Sequence, residues 1–373
     1  MGRSLRLLLL PLLLTALLSG CESAQDQGPE DASPFVFRRL DLNQRRDDGS
    51  RDWDLTSPEA RYNLETRTVQ AQRPTGLLYR LDEPYLRISA EKATIINDGE
   101  RIVLEGNVQL QQLTDQGLLL RGERLVWTPE ESRIAIDRLP RALDADAQLS
   151  AERFVLLQDR NQLLLNGPTR LQHWSGNRSN REPADRDIRG GSGSWNLQTG
   201  ELNLAGPVVA RRSNNTRLTA ASLTGDTSAD FLDLNRPVSL DLGADRGMVA
   251  ADSTRWYYAE GRFRSSGPVE GRRQALRLRG QGFVLDEQRG TVVVSSDCLL
   301  QQPGEQLRAQ QCLWNWRTQQ IMALSESQRL KGRLADGDRF RFNPADARVR
   351  SQFRLDSPSI RQTPDASTPP VTF

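Results

Sequence analysis

Along residues 99–112, GERIVLEGNVQLQQ, apolar and polar positions alternate with a period of two: Ile102, Leu104, Gly106, Val108 and Leu110 share one face. This predicts a half-buried strand. The glycine in the middle of the apolar face is unexpected, because a strand interior gains no packing from it and loses backbone entropy. Its recurrence along the chain shows that it belongs to the design.

In LRISAEKATIINDGERIVLEGNVQL, a small residue, Ala90, stands sixteen positions before Gly106. The same frame places Ala151 before Gly167-Pro168-Thr169, Ala220 before Arg236-Pro237-Val238, and Ala251 before Gly267-Pro268-Val269. Gly280 with Ser296, Ala309 with Ser325, Ala335 with Ser351 and Ser57 with Arg73 keep the spacing, while Gly122 with Leu139-Pro140 and Gly191 with Gly206-Pro207 miss it by one. Ten units result, most of them starting 29 to 33 residues apart, with one gap of 40. A period of this size marks an array of one supersecondary unit. The long gap holds SGNRSNREPADRDIRGGSG, read as a loop inserted between units near residues 175–192.

Each unit reads as two strands with a single oily face, for example Phe154/Leu156 followed by Leu163/Leu165, and such a unit is unstable alone. The fold class is therefore all-β, an elongated two-sheet body with the oily faces turned inward. Gly106, Asn107, Gly167, Gly206 and Gly267 fall at the predicted strand bends, and the prolines after several of them suit a bulge or junction. If each sheet takes one strand per unit, ten strands give a body about 45 Å long.

The chain opens with MGRSLRLLLLPLLLTALLSGC, a basic start, a short leucine-rich run and small residues before Cys21. This is the layout of a secretory signal over residues 1–20, and Leu18-Ser19-Gly20-Cys21 resembles a bacterial lipobox. A lipidated Cys21, a linker over 21–34 and anchorage to a membrane in the periplasm are expected. Removing the leader takes Lys+Arg from 50 to 48, equal to the 48 acidic residues, so no charge draws the chain to nucleic acid. His173 is the only histidine, which leaves little for His-based metal sites or nucleophilic catalysis, and no cofactor is expected. Asp230 and Asp233 could in principle act as an acid–base pair, but 48 acidic residues spread over a polar surface make solvated carboxylates the better reading. Cys298 and Cys312 fall on inward positions of neighbouring strands, with Pro303-Gly304 between them, and a disulfide is expected there.

The stretches DWDLTSPEARY, EPYLRISAEKATI, RIVLEGNVQLQQ, GLLLRGERLVWTPEESRIAI and LSAERFVLLQDRNQLLLNGPTRL resemble LptC of the lipopolysaccharide-export bridge. They are more loosely similar to its OstA-fold relatives LptA and LptD. The resemblance covers residues 35–175; over 176–355 only the repeat continues, and 356–373 reads as a disordered tail. It implies a V-shaped β-jelly-roll whose apolar groove takes acyl chains of lipopolysaccharide or a similar amphiphile from an inner-membrane ABC transporter. An LptA-like or LptD-like protein would join through edge strands, at the far end through RFRFNPADARVRSQFRL, where Phe340, Phe342, Phe353 and Leu355 continue the oily face. Residues assigned to the groove are Ile102, Leu104, Val108, Leu110, Leu125, Trp127, Phe154, Leu163, Leu165, Leu202, Leu204, Leu232, Leu234 and Val238. They would equally suit a dry core between the sheets. Two departures from the family pattern stand out: a lipobox in place of a membrane-spanning helix, and about twice the length. A structural or glycan-binding surface lipoprotein is the alternative to a bridge.

Overall fold

The computed structural model describes residues 35–362 apart from 114–116, 177, 179–181, 213–214, 244–245, 304, 319, 326–327, 335–339, 343–346 and 349–360, with side chains as far as Ala323 except that of Glu305. Among the described residues the regular structure is antiparallel strand, with 3₁₀ turns at Asn97–Gly99, Pro129–Glu131 and Gln158–Arg160 closing hairpins.

The strand Arg101–Gln112 shows the plan. Its first half, through Glu105, pairs with Lys92–Ile96, and its second half, from Gln109, pairs with Glu83–Ser89. One length of chain thus serves two sheets. Leu119–Thr128 returns beside it, pairing with it on both sides of a register shift between Gly122 and Arg124. Further along, the strand is interrupted at the crossing, as where Arg133–Arg138 and Arg141–Leu143 flank Leu139-Pro140. The neighbours stay the same: Arg133–Arg138 pairs with Arg153–Leu157 in the first sheet while Arg141–Leu143 pairs with Ala147–Ser150 in the second. Calling each crossing length a rung, eighteen rungs follow one another from Phe35–Arg45 to Glu305–Asn315, each hydrogen-bonded to its predecessor in both sheets. The fold is a single antiparallel meander creased along its middle.

Three expectations are corrected. Each repeat unit delivers two strands to each sheet, because both of its strands cross the crease; eighteen rungs at ~4.8 Å then make a body about 80 Å long, against the 45 Å expected. The inserted loop ends sooner than residue 192: Arg186–Gly190 is a strand between Thr169–His173 and Val208–Arg212, its Ile188 facing inward between charged neighbours. The meander therefore continues from the 35–175 segment into the next without a break. At the far end Gln320–Ser325 does not cross at Ser325 but folds back on Gln328–Leu334 as a hairpin.

Inward side chains form two apolar clusters, one built around Trp53, Ile102, Trp127 and Phe154, the other around Leu234, Trp256, Phe263 and Phe283. Leu171 packs against both, so the interior is continuous. Outward faces carry cross-strand arginine–carboxylate pairs such as Arg124–Asp137 (2.5 Å) and Arg170–Asp187 (2.9 Å).

Candidate functional site

The site is the space between the two sheets, bounded on one side by the crease and on the other by the free hairpin ends. At the crease, the sixteen-residue spacing acquires a cause: it separates the crossing points of two successive rungs, which touch. Glu91 N–H donates to the Gly106 carbonyl (2.9 Å), Glu152 N–H to that of Asn166 (3.1 Å) and Asp252 N–H to that of Pro268 (3.2 Å). Gly106 (φ +78°) and Asn107 (φ +44°) both take left-handed backbone there, as does Gly167 (φ +81°). Space is the second constraint: a Cβ on Gly106 would meet the Glu91 side chain, one on Gly167 that of Glu152, one on Gly267 that of Asp252, and one on Gly206 the Ala221 carbonyl. Gly206-Pro207 is a cis peptide. The acid lying over Gly106, Gly167 and Gly267 went unnoticed in the sequence, although Ala90-Glu91, Ala151-Glu152 and Ala251-Asp252 repeat it.

Between the sheets, the structure brings the assigned lining together. Ile102, Leu104, Val108, Leu110, Leu125, Trp127, Phe154, Leu163, Leu165, Leu204, Leu232, Leu234 and Val238 are each at most 7% exposed, and Leu202 packs half-buried beside them. These side chains fill the seam and hold the sheets in contact. Trp53, Leu55, Ile88, Trp256, Phe263 and Phe283 share the interior and were not assigned, though each obeys the same alternation. Trp53 meets Trp127 edge to face at 5.3 Å, and Trp256 stacks on Phe263 at 5.4 Å. The indole nitrogens of Trp53, Trp127, Trp256 and Trp314 have no acceptor. The Cys298–Cys312 disulfide forms, and it joins the sheets: Cys298 pairs with Ala309 in the second, Cys312 with Val294 in the first.

Opposite the crease, the free hairpin ends of the two sheets form a mouth. Contacts across it join residues far apart in the chain. Arg80, at the end of a second-sheet strand, donates to Asn161 Oδ1 and to the Gln158 carbonyl of the first sheet, both at 2.8 Å, and Gln158 Nε2 donates to the Tyr85 hydroxyl at 2.5 Å. Farther along, Arg212 Nη1 donates to both carboxylate oxygens of Glu287. These partners stand 73 to 81 residues apart, about five rungs, so the sheets cross at a steep angle. Burial pushes the Tyr85 and Tyr258 hydroxyls up from their ordinary pKa.

Asp233 is held by Arg255 through two hydrogen bonds (2.7 and 2.8 Å), which occupies it structurally. Cys21, Phe353 and Leu355 lie outside the described residues, and for Phe340 and Phe342 only the backbone is described. The near end shows an edge the sequence reading did not single out: among the described residues Phe35–Phe37 pairs on one side only, with Glu59–Asn63, and its three side chains are exposed. No described helix is long and apolar enough to cross a membrane.

Residues 5–134 match the model of a family described as lipopolysaccharide-assembly, LptC-related. No curated protein matches the chain. Among solved structures it is similar to LptH of Pseudomonas aeruginosa, the LptA-homologous periplasmic component of a lipopolysaccharide transport device, with 9% identity and a TM-score of 0.26 over 31% of this chain and 81% of that one. The two-sheet fold rests on the strand pairing and not on this likeness. The chain is thus similar to the LptC-related family over about its first third, residues 5–134, and the same meander continues beyond that match.

Proposed function

We propose that the protein is a periplasmic bridge component of lipopolysaccharide export, held to a membrane through a lipid on Cys21, that carries acyl chains between its two sheets. The observation that supports this best is the unbroken apolar interior, from Leu55 to Ala323, joined through Leu171. Moving an acyl chain of about twelve methylenes through water costs roughly 10 kcal/mol. An apolar seam offsets most of that while supplying no work, so the drive comes from a partner, an inner-membrane ABC transporter. The exposed Phe35–Phe37 edge offers backbone donors and acceptors together with apolar side chains, the combination that strand addition by another β-protein uses. A second such junction, to an LptA-like or LptD-like protein, belongs at the far end.

Because the seam is closed in this structure, carrying a chain requires the sheets to part and lipid methylenes to replace side-chain contacts. The buried tryptophans report this directly. Lipopolysaccharide with brominated acyl chains is expected to quench Trp53, Trp127 and Trp256 fluorescence, while aqueous iodide leaves them unquenched. Bromolipid that binds without quenching would place the lipid on the outer surface and end this reading.

A further inference from the structure

On the second sheet, Arg186 and Arg212 stand directly opposite each other in register on neighbouring antiparallel strands. Like charges so placed repel. Among the described residues, the one carboxylate in an ion pair with either is Glu287, which reaches Arg212 from the first sheet across the mouth. Of the ion pairs among the described residues this is the most buried, with the two side chains 18% and 13% exposed. Burial, and then the neighbouring Arg212 charge, push the Arg186 guanidinium below its ordinary pKa; Glu287 and Asp185 act the other way. Asp185 itself is engaged by the Ser175 backbone N–H, and the Tyr258 hydroxyl donates to the Thr227 carbonyl. Two half-buried guanidiniums therefore stand side by side where the sheets meet, with Glu287 ion-paired to Arg212 alone. Behind them lies the seam, with Ile188 of the Arg186 strand and Ala210 of the Arg212 strand both in the apolar cluster.

We propose that Arg186 and Arg212 form a binding site for a phosphate monoester headgroup, and that this anion takes the place of Glu287 and so unlatches the mouth for the acyl chain attached to it. The proposal rests on the reading that the seam carries an amphiphile. Its logic is exchange. A dianionic phosphate offers more acceptor oxygens than Glu287 and can bridge both guanidiniums, relieving the repulsion that a single carboxylate on Arg212 leaves in place. Once Glu287 is released, no ion pair among the described residues holds the two lips together at this point. An uncharged headgroup lacks that exchange and meets a closed mouth.

The test uses the purified full chain and two amphiphiles of equal chain length, dodecyl phosphate and dodecyl maltoside, with inorganic phosphate as a third probe. Dodecyl phosphate is expected to bind more tightly than dodecyl maltoside. R186Q reduces that preference about tenfold, the size of one charge-assisted hydrogen bond, and R186K retains part of it. E287Q tightens dodecyl maltoside binding, because the latch is gone. Circular dichroism shows whether each variant is folded, and R186K keeps the test informative if R186Q is not. Equal binding of the two amphiphiles, or an unchanged preference in folded R186Q, overturns the headgroup site while leaving the seam reading intact. Inorganic phosphate binding as tightly as dodecyl phosphate overturns the coupling to the acyl chain. Failure of both amphiphiles to bind overturns the seam reading beneath it.

Discussion

Replacing Gly106 by alanine tests the account of the crease. Two effects oppose the new methyl group. The backbone there has φ +78°, which costs an L-residue about 1–2 kcal/mol. The methyl would also stand 2.9 Å from Glu91 Cβ and 2.5 Å from its Oε2. The carboxylate can swing aside, but Cβ is fixed to a backbone whose N–H is bonded to the Gly106 carbonyl at 2.9 Å. Overpacking of this kind adds about 1–2 kcal/mol, so the substitution should destabilise by about 3 kcal/mol in all. Gly243 supplies the control: its φ is +91° and nothing lies within 4 Å of a Cβ placed there, so Gly243→Ala should show the backbone effect alone, about 1–2 kcal/mol. Urea unfolding followed by tryptophan fluorescence reads both, provided the slope with denaturant is unchanged. Adding Glu91→Ala to Gly106→Ala should recover the carboxylate's share and leave the Cβ contact. If Gly106→Ala is no worse than Gly243→Ala, the acid-over-glycine contact does not shape the crease.

Three more outcomes follow from the same structure. Replacing Cys298 and Cys312 with serine opens a loop with a sequence separation of 14 and should cost about 3 kcal/mol by unfolding midpoint, the loss growing if the inter-sheet tie also holds the seam shut. Arg80→Ala removes two hydrogen bonds across the mouth and should lower stability by about 1–2 kcal/mol, with faster amide exchange around Gln158–Asn161; unchanged exchange would show that the clasp does not hold the lips. Cys21→Ser should abolish incorporation of labelled fatty acid into the protein, and persistent labelling would remove the lipid anchor from the account.

Much of the architecture was legible because a two-residue period and a thirty-residue repeat are both local signals. Ile102/Leu104 and Val108/Leu110 could be assigned to one oily face from spacing alone, and the glycine between them to a bend. What spacing does not reveal is that the two halves of such a strand enter different sheets; hence ten strands per sheet were expected where eighteen rungs cross both. Arg186–Gly190 was hidden for another reason, since a single inward Ile188 among charged and small residues gives a weak alternation that only pairing with both neighbours completes. The mouth was invisible. Arg80 meets Gln158 and Arg212 meets Glu287 because the sheets cross steeply, a tertiary property with no counterpart in the local pattern.

The central claim is that one continuous interior receives the lipid along the whole meander. Photo-crosslinking residues placed singly at Leu104, Leu165, Leu234 and Leu285, which are buried at successive points of that interior, measure it in cells exporting lipopolysaccharide. The account predicts that all four capture the same lipid, and that an outward position such as Arg170 captures none. Capture confined to Leu104 and Leu165 would show that the later rungs are a dry core, and capture at none of the four would contradict transport through the seam altogether.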